Sequence, residues 1–432
     1  MSTQGIRNAL ATLGQNVEAL ELKEDPADVE DLGDGVVATA LFPDVHLIPG
    51  FWKIDGYSGV RAALSQKVPL RQGLNYIEFP YDWRRDNRVA ARKLARLAPG
   101  WLDQWRRSSG NQDARLVLVG HSMGGLVARY FLECLEGWQY ARKLITFGTP
   151  YRGSLNALDF LSNGYKKTFA GFNLADLSVL MRSFTSVYQL LPRYPCVDMG
   201  DGVLRRPGEV TGLRNIDPKK AAAALAFHYE LEKAICRNQA SKEYRPYTVH
   251  PIVGVDQPTK QSARVEAGGV TLLNALQSRD EGGDGTVPRP SAVPLGCRRE
   301  DDAAFESAAL FVPGIHGSLQ NLPQVAAQVS YVLLAPDFAQ YRGEPEPLSL
   351  ELEDAYRVDE PIGIHCRAGP TAQKASLSIE DTFTRNSVVR RALTLAPKER
   401  VAVPLEPLPA GTYRAKLEIA EQHVSDVFLV SR

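Results

Sequence analysis

The sequence predicts an α/β fold: a mostly parallel sheet covered on both sides by helices, with a helical insertion and a C-terminal β-sandwich. Three observations predict it. Apolar runs of strand length at 116–119, 143–147, 247–255 and 308–312 alternate with amphipathic helical stretches, the pattern of β-α-β crossovers. Residues 153 to about 241 are far longer than a single crossover requires, and are read as an insertion over one end of the sheet. Beyond Gly343-Glu344-Pro345-Glu346-Pro347 the apolar period changes to two, which gives two units, 1–342 and 343–432.

Taken in order, residues 1–34 read as one short helix followed by an acidic, turn-rich segment, with no core strand. Residues 36–42 and 45–48 are apolar enough for strands and end at Pro49-Gly50-Phe51. A helix opens over 57–64, and 75–79 is a further strand candidate, closed by Pro80-Tyr81-Asp82-Trp83-Arg84. Residues 88–105 form a basic amphipathic stretch that Pro99-Gly100 interrupts.

The run 116–119 is too short for a helix, and its valines fit a strand buried on both faces. Directly after it, Gly120-His121-Ser122-Met123-Gly124 has the G-x-S-x-G form of a nucleophile elbow. A strand that turns sharply into a helix strains the serine and leaves no room for neighbouring Cβ atoms, so both Gly120 and Gly124 are expected to be required. Leu126, Val127, Tyr130 and Phe131 resume helical spacing. The N-terminus of that helix points at Ser122, where its free N–H groups suit a developing negative charge.

Within the insertion, Asp217-Pro218 starts a helix as N-cap and first-turn proline, continued over 221–235. Residues 325–334 read as the helix that closes the α/β unit. In the last segment Leu348, Leu350 and Leu352, and then Ala375, Leu377 and Ile379, alternate with polar residues. Pro409-Ala410-Gly411 makes a turn before 413–419, and 427–430 ends the pattern. Strands alone over roughly 85–90 residues suggest a sandwich of ordinary size.

Lys plus Arg equals Asp plus Glu, 50 against 50, so nothing points to a nucleic-acid partner. Five cysteines, Cys134, Cys196, Cys236, Cys297 and Cys366, are scattered and never form C-x-x-C. That predicts free thiols, no zinc site and no disulfide. Residues 1–20 lack the apolar core of a signal peptide, and no apolar run approaches ~18 residues, so a cytoplasmic location is expected.

A serine hydroxyl needs a base within hydrogen-bond reach and a carboxylate to orient that base. Of seven histidines, His46 and His121 precede or adjoin the serine, His228 sits in a helix, His250 in a strand, and His365 and His423 in the β-unit. His316 remains, in Gly314-Ile315-His316-Gly317 just past a strand, and is the expected base. For the acid, the glycine-rich loop 282–288 favours Asp284, with Asp256 and Asp280 as competitors. Asp280, Glu281 and Asp284 together also allow a calcium loop, against which stands the reading of solvated loop charges.

These segments resemble the lecithin:cholesterol acyltransferase family of α/β-hydrolases, and its bacterial relatives in particular. The resemblance runs from about Val36 to Leu334. It rests on Pro49-Gly50-Phe51, on FPYDWR over 79–84, on GHSMGG around Ser122, on FGTPYRGS over 147–154 and on GDGTVP over 283–288. It implies a Ser122-Asp284-His316 acyl-transfer mechanism on lipid esters, a glycerophospholipid or acylglycerol, with water or an alcohol as acceptor and no metal or cofactor. Asp82, Trp83 and Arg84 could line the site, but the favoured expectation is that they knit a strand end to its neighbours.

Phe160, Leu161, Tyr165, Phe169, Phe172, Leu174, Leu177 and Leu180, with Lys166 and Lys167 among them, fit either a lid in transient contact with a membrane interface or a helix packed into the core. The resemblance also implies an early apolar strand and Pro-Gly loop that supply one oxyanion amide, a form that nothing before Val36 has. Met123 N–H is expected to be one donor and Phe51 is the candidate for the second. Either an upstream segment completes the oxyanion hole, or the chain is a catalytically impaired lipid- or protein-binding module.

Overall fold

A computed structural model of the chain describes residues 20–41, 46–48, 52–54, 56–169, 172–245, 247–266, 269–298, 305–334, 348–368, 373–396, 399–419 and 422–431. Its elements, in chain order, begin with the antiparallel pair β1 (His46–Ile48) and β2 (Trp52–Ile54), followed by α1 (Ser58–Ser65) and α2 (Asn87–Ser109). Next come β3 (Leu116–His121), α3 (Met123–Cys134), β4 (Ala141–Phe147) and α4 (Leu155–Ser162). After the hairpin β5 (Lys166–Phe169) and β6 (Phe172–Asp176) follow the short helices α5 (Ser178–Ser183) and α6 (Thr185–Gln189). The strands β7 (Val197–Asp198) and β8 (Leu204–Arg205) precede α7 (Pro218–Ala240). β9 (Thr248–Val255), β10 (Ser262–Glu266), β11 (Gly269–Leu273), β12 (Leu310–Pro313) and α8 (Pro323–Leu334) complete the first unit.

The central sheet runs β12-β9-β4-β3, parallel throughout. Adjacent residues of β4 show that both its faces are covered. Leu144 packs with residues of α2, α3 and α7, such as Leu94, Phe131 and Phe227, whereas Ile145 packs with Val60 of α1 and Val325 and Val329 of α8. Successive side chains of a strand point to opposite faces, so a strand between two helical layers reads as a near-continuous apolar run, here Leu144, Ile145 and Phe147. This is the α/β-hydrolase arrangement expected from the alternation of runs.

β3 departs from that expectation. It is the outer strand of the described sheet, and Val119 is 48% exposed. Residues 36–41 and 75–79, read as strands, form none; Tyr76 makes only a single bridge to Gln72. Their apolar side chains are used differently. Residues 36–41 line a cavity beside β3, and Phe79 stacks on Tyr81 and meets Trp101 of α2 edge-on. Pro99 does not interrupt α2, which is continuous over 23 residues. Ala98 and Leu102 are buried while Pro99 is only partly buried and Gly100 is exposed, so the weakened stretch faces away from the core.

Within the insertion, Leu161 and Tyr165 are buried in the core cluster that holds Leu155, Val187 and Leu191, with Phe160, Leu177 and Leu180 packed against it. Phe169, Phe172 and Leu174 carry side chains outside the described set. β7 and β8 form a small sheet with β10 and β11, so the insertion shares its strands with residues beyond 241. α7 is capped by Asp217, whose side chain accepts from Lys219 and Lys220 N–H, and it stacks Phe227 on Tyr130 of α3 in the main layer.

The C-terminal unit consists of β13 (Leu348–Leu352), β14 (Ala355–Arg357), β15 (Ile362–Ala368), β16 (Gln373–Asp381), β17 (Ser387–Leu395), β18 (Arg400–Leu405), β19 (Gly411–Ile419) and β20 (Gln422–Ser431). Two sheets, β13-β15-β18 and β14-β20-β19-β16-β17, enclose a core of alternate residues, among them Leu348, Leu350, Ile362, Ile364, Leu377, Ile379, Ala415 and Leu417.

The cysteine expectation is corrected here. Cys236, near the end of α7, is bonded to Cys297, 61 residues away, while Cys134, Cys196 and Cys366 are free. A pairing of that separation depends on where α7 ends relative to the loop after β11, which spacing does not encode. Denatured, unreduced protein should therefore titrate three thiols, and five after reduction. Loss of the bond should lower stability by roughly 2–4 kcal/mol, read from urea midpoints with and without reductant. Five thiols without reductant would refute the bond. Among the described residues, no helix is long and apolar enough to cross a membrane.

Candidate active site

Ser122 sits between β3 and α3 with φ 52° and ψ −126°, a backbone conformation rare for a side-chain-bearing residue. The neighbourhood over-determines it. Ser122 N–H donates to Phe147 O at 2.8 Å, and its carbonyl accepts from Gly125 N–H at 3.0 Å and from Thr149 Oγ1 at 2.9 Å. A Cβ on Gly120 would lie 2.7 Å from Gly125 N, so Gly120 is required as expected. Gly124 is different: its nearest neighbour would be Tyr81 OH at 3.8 Å, ordinary contact. The second obligatory glycine is Gly125, where a Cβ would meet Thr149 Oγ1 at 2.0 Å. Close packing of α3 on the loop after β4 imposes this, which the elbow pattern alone does not reveal.

Asp284 and His316 arrive on loops beyond β9 and β12. Asp284 is fully buried; its Oδ1 accepts from Thr286 N–H at 3.0 Å and Val287 N–H at 2.7 Å, leaving Oδ2 to His316 Nδ1 at 2.7 Å. His316 Nε2 lies 2.9 Å from Ser122 Oγ. The backbone joins the same two loops, since His316 N–H donates to Asp284 O at 2.9 Å. All three side chains are buried, Ser122 and His316 at 5% and 3% exposure. Gly148, at φ +53°, backs the pair: a Cβ there would stand 2.7 Å from Asp284 Oδ2 and 2.8 Å from His316 Nδ1. Sequence reasoning missed this residue, although a glycine directly after a buried strand and before Thr-Pro was a visible signal.

The competing acids lie elsewhere in the hydrogen-bond scheme. Asp280 accepts from Gln261 Nε2 and Gly282 N–H, and Glu281 pairs with Arg279 and Arg289. Burial raises the Asp256 carboxyl above its ordinary value, with Arg367 acting against it. Met123 N–H is the first amide of α3, one of those without an acceptor inside the helix, and follows Ser122 directly. Phe51 lies outside the described residues.

His121, set aside in the search for a base, belongs to the same assembly. Its Nε2–H donates to the carbonyl of His316 at 2.9 Å, and its Nδ1 accepts from Tyr57 OH at 3.1 Å. Burial, with His316 beside it, depresses its pKa to about 3, and burial depresses His228 to about 4. Both are neutral in the fold and protonate near 6.5 when unfolded. The unfolded chain therefore takes up protons first as pH falls. The stability these two rings contribute is complete above about 6.5 and is lost between there and about 4 to 3. Thermal midpoints across that window should fall more steeply in wild type than in His228→Gln, which removes one of the two titrations. Equal slopes would refute it.

Arg84, at 2% exposure, explains the FPYDWR segment. It holds Asp82 with both ends of its fork at 2.9 and 2.6 Å, Asp34 at 2.8 Å and the carbonyl of Leu20 at 3.0 Å. The adjacent Arg85 is clamped by Asp25 and by the carbonyls of Pro26 and Glu30. The acidic segment before residue 35 is thus a strap tied to buried guanidinium groups.

A cavity of about 870 Å³ runs along the open edge of β3 to Ser122. Its walls are largely apolar, with Leu94, Trp101 and Trp105 of α2, Val117 and Val119 of β3, and Leu70 and Leu74 opposite.

The lecithin:cholesterol acyltransferase family profile matches residues 66–207. A phosphatidylcholine-sterol acyltransferase of Gallus gallus is 33% identical over 91 residues, 20% of this chain, and the match spans only a fifth of that relative's length. Among solved structures, the Bacillus licheniformis lipase BlEst2 in its propeptide form is similar over 81% of this chain and 83% of its own, at 12% identity and a TM-score of 0.31. A CARDB domain from Pyrococcus furiosus is similar over 21% of this chain and 98% of its own, at 14% identity and a TM-score of 0.17. The matched stretch, 66–207, carries the segments around Phe79, Ser122 and Phe147, and over it the chain is similar to the lecithin:cholesterol acyltransferase family.

Proposed function

We propose that the protein is a serine-dependent acyl-ester hydrolase or O-acyltransferase acting on lipid esters, through an acyl-enzyme formed on Ser122. The observation that carries this reading is the hydrogen-bonded series from Ser122 Oγ to His316 Nε2, and from His316 Nδ1 to Asp284 Oδ2, buried at the end of an apolar cavity. His316 takes the hydroxyl proton as Oγ attacks the ester carbonyl, and returns it to the leaving alcohol. Asp284 keeps the ring's other proton on Nδ1 and stabilises the imidazolium. Met123 N–H donates to the developing oxyanion. Water or a second alcohol, with its proton passed to His316, then attacks the acyl group, and His316 returns that proton to Ser122 Oγ as the acyl–enzyme bond breaks.

The cavity supports a long acyl chain. At about 870 Å³ it lies near the top of the usual ligand range of roughly 300–1,000 Å³, and its aromatic and aliphatic walls suit a hydrocarbon. The candidate substrates are a glycerophospholipid or an acylglycerol, as the family and the Gallus gallus relative suggest.

A serine-directed fluorophosphonate, followed by fatty-acid release from phosphatidylcholine and from diacylglycerol vesicles, tests the proposal. Labelling at Ser122 and ester cleavage are expected, with product ester instead of free acid when an alcohol acceptor is supplied to a transferase. A folded sample that neither labels nor cleaves would instead identify a binding module.

A further inference from the structure

We propose that the C-terminal β-sandwich positions the acid and the base of this site, through Gln257 and Ile315. The inference rests on the reading of Ser122, His316 and Asp284 given above. Gln257 follows β9 and is 3% exposed. Its backbone belongs to the acid loop: the N–H donates to Gly283 O at 3.0 Å, and Gln257 bridges Asp284 as a parallel neighbour. Its carbonyl accepts from Thr259 Oγ1 at 2.8 Å, and Thr259 Oγ1 in turn accepts from Gly285 N–H at 2.9 Å.

The side chain faces the other way. Nε2 donates to Leu348 O at 3.0 Å, while Oε1 accepts from Leu350 N–H at 3.3 Å. A primary amide here does what a neighbouring strand's peptide group would do for β13. Leu348 and Leu350 are themselves buried in the sandwich core. One buried residue therefore hydrogen-bonds the sandwich with its side chain and the loop of Asp284 with its backbone.

The base loop has its own attachment. Ile315, directly before His316, packs against the sandwich core, and β20 touches the turn that begins at His316. Because His316 N–H is bonded to Asp284 O, the two attachments close a ring through both loops. Loops that carry reacting groups need support from a rigid layer, since a shift of about 1 Å in such a group costs on the order of a hundredfold in rate. Gln257 and Ile315 are positioning residues: neither touches the reacting atoms.

The test uses the full chain with Gln257→Leu, which keeps the side-chain volume but neither donates nor accepts, and Ile315→Ala. The second-order rate of fluorophosphonate labelling at Ser122 should fall about tenfold or more in each. On a soluble p-nitrophenyl ester, kcat per active site, counted by the end point of fluorophosphonate labelling, should fall while KM stays within about twofold; counting sites removes any loss of folded protein from the comparison. Amide hydrogen exchange over 282–287 and 314–318 should accelerate in both variants, with the strands of the central sheet unaffected. This exchange reads the tether without any chemistry, so it separates failure of this inference from failure of the proposed function. Unchanged exchange and unchanged labelling in folded variants would overturn it. Should Gln257→Leu not fold, the same readouts on Ile315→Ala decide in either direction.

Discussion

Ser122→Ala should lower kcat by about 10⁶ and abolish fluorophosphonate labelling, with the fold intact. The size follows from what the serine, the histidine and the carboxylate do as a unit. His316 Nε2 at 2.9 Å from Oγ is placed to take one proton, and without Oγ there is neither a proton to take nor an atom to carry the acyl group. His316→Ala should cost about as much, and the double variant little more, because each change alone already disables the unit. What survives is catalysis by the site's shape and by Met123 N–H. The backbone strain at Ser122 should persist in the variant, since alanine removes the hydroxyl but keeps the Cβ at φ 52°. A variant that still labels, or that keeps more than about one per cent of wild-type turnover, would exclude Ser122 as the nucleophile.

Asp284→Asn should reduce kcat by about 10⁴ with little effect on the thermal midpoint. The direction of the amide is set by the loop. Thr286 and Val287 N–H both point at the Oδ1 position, at 3.0 and 2.7 Å, and demand an acceptor there. An asparagine must therefore turn its oxygen toward them and its NH₂ toward His316 Nδ1. That nitrogen then becomes an acceptor, and the ring's proton moves to Nε2, the atom that must receive the serine proton. The tautomer is wrong although the heavy atoms have hardly moved. Nitrogen NMR of the His316 ring gives the tautomer directly, and kcat gives its consequence. Wild-type turnover in a folded Asp284→Asn variant would move the acid's role elsewhere, and Asp256 would be the next residue to change.

Much of the architecture is legible along the chain, for a simple reason. Strands covered on both faces carry near-continuous apolar runs, so β4, β9 and β12 stand out, and the helices between them show amphipathic spacing. The elbow is legible because strain restricts the residue types that tolerate it. His316 is legible by elimination, just past a strand, and Asp284 by a loop in which glycine lets the backbone bring a carboxylate inward. The strand assignments at 36–41 and 75–79 fail because apolar composition does not distinguish a residue in a ladder from one lining a cavity. The assignment of a break at Pro99 fails because the sequence does not say which side of α2 faces water.

The local sequence determined the element types, the strained serine, the period-two β-unit and the residues with chemistry to offer, because each depends on neighbours within a turn or a strand. Only the tertiary structure decided that Cys236 meets Cys297, that Gly125 and Gly148 have no room for a Cβ, that His121, itself bonded by Tyr57, donates to the carbonyl of His316, and that Gln257 joins the sandwich to the acid loop. Those contacts link positions tens to hundreds of residues apart. Their geometry is set by how whole layers pack, and no short stretch of the chain contains that information.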